Sequence, residues 1–468
     1  MKWRWGALVL LLCASAAPEA AAGAREDETV LQDYIRLGLE NNLALRQKDL
    51  SYAQALEGLA EARGMFLPSV ELQSRYSRAG GGRTAEVPVG DLLNPVYSTL
   101  NQFLSSGPFP TNLENEQIVF LREKEHDTRI RMTQPIFNLR VHHNHRLKAQ
   151  KAGMRESEFR ALRRELVRDI KSAYYGYLKA LEASEIYASA LELLSESRRV
   201  TQKLLEADKV TRDAVYRADT ELHRVTEEGR SARNRAELAG SYLNFLLNRP
   251  LDSDIVRSSA PSDLQPPTKP LQELKQAALT GREELQQLEA AIGMARHAKG
   301  IARSGTLPSL ALVADYGLQG ESYRLSKDDD YWMVSGVLKW NLFSGTSDRA
   351  RVAGARLEIQ KLDAALEEAR RRVELQVEQS YQNANSAHER LKPARLASRS
   401  AGEAFRMVAR KYDHGMASQI EYLDARTTLT ATRTAEVIAR YDYLTHLAEL
   451  ESASGTYDFG STENGDRR

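Results

Sequence analysis

Cysteine is all but missing: Cys13 is the only one in 468 residues. One thiol builds no disulfide framework, no thiolate zinc site and no iron–sulfur site. Aromatics make up 7%, and Pro and Gly number only 14 and 28, while Ala, Leu, Glu and Arg dominate. Such a composition favours long helices over sandwiches and argues against disorder. Neither charge is in excess, with 65 Lys+Arg against 64 Asp+Glu. The basic surplus that marks a nucleic-acid binder is therefore absent. No Ser/His/Asp order, HExxH or phosphate-cradling Gly loop is present, so no enzyme and no cofactor is expected. Gly80-Gly81-Gly82 lacks a following Lys-Ser/Thr and sits among loop residues.

The N-terminus has the pattern of a signal peptide over 1–24. Lys2 and Arg4 give a positive start, Ala7 to Ala17 is apolar, and Ala20-Ala21-Ala22 and Ala22-Gly23-Ala24 fit an A-x-A cleavage pattern. Acylation of Cys13 is the rival reading, but Leu10-Leu11-Leu12 stand where a small residue is needed. A buried apolar N-terminal helix is a third. No other apolar run approaches the ~18 residues of a membrane-spanning helix. An exported chain of this kind either stays soluble or crosses a membrane as strands, and only a closed barrel can do the latter.

The chain repeats itself. With Leu31-Gln32 set over Leu271-Gln272, a shift of 240, Leu39, Leu45, Gln47, Ala55, Ala62-Arg63, Leu67-Pro68-Ser69, Leu72 and Tyr76 meet identical residues without a gap. Further on the shift falls to 207, where Ala218, Thr220, Leu222, Ala232-Arg233 and Leu243 match Ala425, Thr427, Leu429, Ala439-Arg440 and Leu450. The first copy thus holds about 34 extra residues after Pro68, rich in Gly and Pro, which reads as loop. The expected division is a first repeat over 25–250, a linker over 251–270, a second repeat over 271–453 and a flexible tail over 454–468.

Each copy opens with a helical stretch of about 36 residues that ends at Leu-Pro-Ser, where proline stops a helix and suits a strand start. Alternation follows. Val70, Leu72 and Tyr76 oppose Glu71, Gln73 and Arg75, and Ile130, Met132 and Ile136 oppose Arg129, Arg131 and Thr133. In the second copy Leu310, Leu312, Ala314, Tyr316 and Leu318 share a face, as do Trp332, Val334, Leu338 and Trp340. Segments of ~10 alternating residues are the mark of transmembrane barrel strands. Trp332 and Trp340 stand ~26 Å apart along a strand, close to the ~25 Å between aromatic girdles. An amphipathic hairpin on a soluble core explains the alternation equally well. It does not explain the charge of Glu71, Arg75, Arg129 and Arg131.

Heptad-like seams then predict very long helices over 140–205 and 346–412, each ~100 Å. Pro393 is expected to kink or break the second. They end at turns, Ala207 to Thr211 and His414 to Ser418, with Gly415 suited to a left-handed C-cap and Thr211 and Ser418 to N-caps. Return helices follow over 212–247 and 418–453. By length, 212–247 laid end to end with 272–304 would match one long helix, as would 418–453 with 29–65.

This order of strand–loop–strand, long helix, tight turn and return helix, given twice, resembles the TolC family of outer-membrane efflux proteins over about 29–453. The resemblance implies a mainly α fold with a transmembrane β-barrel: a long-helix tunnel with four barrel strands per chain, twelve in a homotrimer. It implies an outer membrane of the Gram-negative type, a large periplasmic part, and no catalysis. The partners implied are outer-membrane lipid, a periplasmic adaptor (membrane fusion) protein and an inner-membrane RND or ABC transporter. The cargo would be drugs, ions or proteins, including type I secretion.

Carried over by position, Tyr412 matches a gate tyrosine, and Glu421 and Asp424 match an acid pair ringing the constriction. Their i, i+3 spacing puts both on one helix face, although a solvated face has the same spacing. Ala417 stands where some members have a gate arginine, so their closed-state bonds are not expected here. Val210, Thr211, Gly415, Ala417 and Ser418 fall at the adaptor-docking tips, and Trp332 and Trp340 at the membrane girdle. His142, His143 and His145 cluster near a helix start without a carboxylate or Cys partner, and are expected to be hydrated rather than metal-bound. The rival functions are a periplasmic coiled-coil adaptor, which would need Gly-rich β-domains and a single helical hairpin, and a soluble coiled-coil structural protein, which would need no barrel-like strands.

Overall fold

The computed structural model describes residues 19–104, 106–258, 264–322 and 329–457. Most of the expected signal peptide, Ser259 to Asp263 of the linker, and all but the first residues of the tail lie outside them. The first repeat contributes α1 (Glu19–Asn41), α2 (Leu43–Gly64), β1 (Ser69–Arg78), β2 (Thr84–Val87), α3 (Val89–Phe103), β3 (Glu116–Val119), β4 (Lys124–Phe137), α4 (Leu139–Glu206) and α5 (Arg212–Leu246). The second contributes α6 (Leu271–Gly281), α7 (Glu283–Ser304), β5 (Ser309–Gly320), β6 (Asp330–Lys339), α8 (Ser347–Asp413) and α9 (Gln419–Ser454). No described helix is long and apolar enough to cross a membrane.

Two compact units cut across the repeats. One takes the described residues up to Leu56, Gln150–Gly293 and those from Ile359 onward; the other takes Glu57–Ala149 and Met294–Glu358. The first is helical, with two main apolar cores. Leu31, Tyr34 and Ile35 of α1 meet Ile170, Tyr174 and Leu178 of α4, Leu243 of α5, and Tyr441 and Leu444 of α9. Leu274 and Ala278 of α6 meet Leu285 and Ile292 of α7, Val373 and Val377 of α8, and Leu450 of α9. These residues recur every three or four positions, the spacing of a helix seam.

The second unit carries a four-stranded antiparallel sheet in the order β1-β4-β5-β6. Among the described residues β1 and β6 are paired on one side only. The register of β4 slips between Pro135 and Phe137. Proline offers the ladder no N–H, and a bulge is the place a central strand can take one.

The long helices begin and end within one residue of the expected limits. The break expected at Pro393 does not occur, and α8 runs through it as one helix. Three further expectations change. The opening stretch of each repeat is two helices rather than one, parted at Asn42 and at Arg282, which are equivalent under the shift of 240.

The end-to-end partners also change, from between repeats to within each. Asn42 donates from Nδ2 to the Leu246 carbonyl at 2.9 Å, and Arg282 donates from Nη1 to the Ala453 carbonyl at 3.0 Å. The last carbonyls of a helix have no partner of their own. In α5 and α9 the residue that breaks the opening helix of the same repeat supplies one. Length alone could not choose, because both pairings have the same length.

Finally, the insert is folded. β2 pairs with β3, and Asn94 and Leu113 exchange two hydrogen bonds of 2.8 Å. Asn101 and Phe109 exchange another pair, of 2.7 and 3.0 Å.

Candidate functional site

Two places hold the residues that the sequence points to, the sheet of one unit and the helix turns of the other. In the sheet, the pleat sends alternate side chains to opposite faces. The register aligns Leu72, Ile130, Tyr316 and Trp332 in one row across all four strands, and Val70, Met132, Ala314 and Val334 in the next. The first row is exposed by 74%, 50%, 57% and 77%. Such side chains gain about 1.5–3 kcal/mol each on leaving water, so covering this face is favourable.

The opposite face is polar and bonded to itself. Asp315 is buried and accepts hydrogen bonds from Arg131 Nε at 2.8 Å and Nη2 at 2.7 Å. Arg129 reaches Gln73 at 3.3 Å and Asp127 at 3.3 Å, and the Tyr331 hydroxyl donates to Asp127 at 3.2 Å. Charges expected from Arg129 and Arg131 thus occupy one side and are matched within the sheet. Trp332 lies near the start of β6. Trp340 lies one residue beyond its end, donating from Nε1 to the Thr306 carbonyl at 3.2 Å.

In the helical unit, α4 turns into α5 through Asp208, at φ 55°, and α8 turns into α9 through Gly415, at φ 70°. Both values lie in the left-handed region that ends helices. Val210 and Ala417 are half-buried, while Thr211, Gly415 and Ser418 are exposed. Thr211 takes the N-cap position of α5, but its hydroxyl bonds Asp213 instead of the helix N-terminus.

Ser418 forms a full capping box. The Glu421 amide donates to Ser418 Oγ at 3.3 Å, and Glu421 Oε2 accepts from the Ser418 amide at 2.6 Å. The Ser418 backbone and hydroxyl, with Lys411 further off, hold the Glu421 carboxyl below its usual range. In one chain, then, the Glu421 carboxyl is bound locally. Asp424 is exposed one turn on.

Gln419 ties the two turns together, donating to Thr201 Oγ1 at 3.2 Å and to the Ala214 carbonyl at 3.1 Å. Tyr412 is stacked on Tyr422, with ring centroids 4.9 Å apart, and Tyr422 lies 5.5 Å from the Phe405 ring. Arg426 is buried with its guanidinium over Phe405 at 5.4 Å. Burial lowers its pKa. Tyr422, Gln419 and Arg426 were missed by sequence reasoning, since no helical spacing links residues across a turn. The box was legible, however: Ser418-Gln419-Ile420-Glu421 has the S-x-x-E form. Among the described residues no group of three or more His, Cys, Asp or Glu is set to hold a metal.

The arrangement has counterparts. Residues 274–456 match the family described as outer membrane efflux protein. The chain is 23% identical over 472 aligned residues to the alkaline protease secretion protein AprF of Pseudomonas aeruginosa, covering 99% of this chain and 90% of that one. It is 24% identical over 445 residues to the outer membrane protein TolC of Escherichia coli, covering 92% and 82%. The fold superposes on the CmeC outer membrane channel of Campylobacter jejuni with a TM-score of 0.78 at 15% identity, covering 97% of this chain and 93% of that one.

Proposed function

We infer, from the outer membrane efflux protein domain that the chain carries and from its homology to AprF and TolC, that it is an outer-membrane channel. It passes material outward without chemistry, as a trimer working with an adaptor and an inner-membrane transporter. The cargo comes from an RND or ABC transporter and is a small molecule, an ion or a secreted protein.

One observation carries this reading: a four-stranded sheet with an exposed apolar face, a self-bonded charged face and, among the described residues, an edge strand at each end that is paired on one side only. Lipid leaves no partner for an open edge, so strands in a membrane must close into a barrel. Three copies, each lending four strands, close one of twelve strands, with Leu72, Tyr316 and Trp332 toward lipid and Arg131 and Asp315 toward the lumen. Trp332 and Trp340 anchor the two interfaces.

The turns at 207–211 and 414–418 lie at the periplasmic end. There Val210, Thr211, Gly415, Ala417 and Ser418 meet the adaptor, and Tyr412, Glu421 and Asp424 line the constriction. The folded insert between β1 and β4 lies outside the cell. An epitope placed at Gly81 should be reached by antibody on intact cells, and the protein should fractionate with the outer membrane. Protection of that epitope until cells are permeabilised would reverse the topology. Recovery in the soluble periplasm would sink the channel.

A further inference from the structure

The histidines near the start of α4 make different contacts. His142 is exposed and sets its ring edge against His143, with centroids 5.8 Å apart. His145 sets its ring edge against Phe66, with centroids 5.8 Å apart. His143 faces His297 of α7, Nδ1 to Nδ1, at 3.4 Å, with ring centroids 5.7 Å apart. The first two contacts are ordinary packing and solvation; the third is not.

At 3.4 Å the contact is at the long end for a hydrogen bond. It does match two nitrogens held on one tetrahedral ion: two bonds of ~2.0–2.1 Å at the tetrahedral angle set them ~3.3–3.4 Å apart. The approach is also built into the chain. One turn past His297 is Gly300, where an added Cβ would come within 2.6 Å of the His143 ring. Glycine keeps that ring's seat open. Both rings are half-buried. Imidazole binds a metal through a free lone pair on nitrogen.

We propose that His143 and His297 are a two-nitrogen site for a borderline divalent transition ion of the zinc and copper class, bridging the first repeat through α4 and the second through α7. With two protein ligands, water fills the remaining positions. Such an open site binds reversibly rather than as a permanent structural centre. The class follows from the ligands, since imidazole nitrogen suits zinc, copper and nickel, whereas calcium and magnesium call for oxygen.

The test uses the full chain, purified in detergent and stripped with a chelator. Cu2+ is titrated with electron paramagnetic resonance as the readout, and Zn2+ by calorimetry. The expected result is one ion per protomer, with a copper signal split by two imidazole nitrogens. His143→Ala and His297→Ala should each weaken binding at least about tenfold. Gly300→Ala, which removes no ligand but displaces the His143 ring, should weaken it too. His142→Ala and His145→Ala should leave it unchanged. No uptake by the unaltered protein, or a single-nitrogen spectrum from it, overturns the proposal with no variant needed. So does binding that survives in the His143→Ala, His297→Ala double variant. None of these outcomes depends on the channel reading, which fractionation and surface access test separately.

Discussion

Asn42 and Arg282 occupy the same position in the two repeats, and each donates a side-chain hydrogen bond to a carbonyl at the end of the return helix of its own repeat, Leu246 and Ala453. Asn42 also accepts from the Leu45 amide at 3.0 Å and so caps α2. Arg282 binds Glu284 instead, at 3.0 Å and 2.7 Å, while Arg164 reaches both Glu283 and Glu284. The task is the same, but one copy performs it with an amide and the other inside an ion cluster.

Arg282→Met should therefore cost more than Asn42→Ala: about 1.5–3 kcal/mol for lost bonds to a charged group, against about 1 kcal/mol for a lost cap. Chemical denaturation followed by helix circular dichroism compares them. Equal losses would mean that the ion cluster adds nothing to its junction, and no loss in either that the junctions do not depend on these side chains.

The cluster also sets a pH dependence. Burial opposes ionisation of Glu284, but the hydrogen bonds and charge of Arg282, with Arg164 beyond, prevail and lower its pKa from 4.5 to about 2. A carboxyl depressed in the folded state stabilises it fully above its ordinary value and loses that contribution as pH falls toward the folded one. Solvent reaches 35% of this side chain, so screening reduces the effect to about 1–2 kcal/mol. The stability gap between the unaltered protein and Glu284→Gln should shrink between about pH 4.5 and about pH 2. A gap that stays constant across that window would remove Glu284 from the acid response.

Strand faces can be told apart by adding charge. Leu312→Arg or Leu338→Arg should destabilise the barrel by about 2–4 kcal/mol near the midplane, and Gln73→Arg on the polar face should be tolerated. Heat-modifiability of the trimer on gels reads this. If both classes behave alike, the assignment of strand faces is wrong.

At the constriction, the Ser418 capping box complicates the simplest test. Glu421→Ala would remove a cap as well as a charge. Glu421→Gln keeps the S-x-x-E/Q form, so the double change Glu421→Gln, Asp424→Asn is the cleaner variant. In planar bilayers, hexamminecobalt added from the periplasmic side should block the unaltered channel and fail to block this variant. Persisting block would place the acidic ring elsewhere.

The legible parts of the fold were those set by local chemistry. The limits of α4 and α8 follow from the left-handed Gly415 and from the cap positions Thr211 and Ser418. The strand faces follow from alternation through Leu72, Ile130, Tyr316 and Trp332. What stayed hidden depends on distant partners. The breaks at Asn42 and Arg282 serve helices more than 170 positions away. The seat of Tyr412 on Tyr422 spans a turn. His143 finds His297 only because two repeats fold together. The insert hid its order because Gly and Pro there end small elements instead of preventing them.

The outer strands, each paired on one side only among the described residues, have a genetic consequence. On the channel reading, β1 and β6 are completed by other copies, and a chain shares its faults with its neighbours. An allele that spoils one edge, such as a proline within β6, yields subunits that can still offer β1 to an unaltered neighbour. Expressed beside the unaltered gene, they would enter mixed rings and leave them unclosed. Such alleles should act dominantly in a strain carrying both copies. Alleles that stop the chain before any strand is made should be recessive.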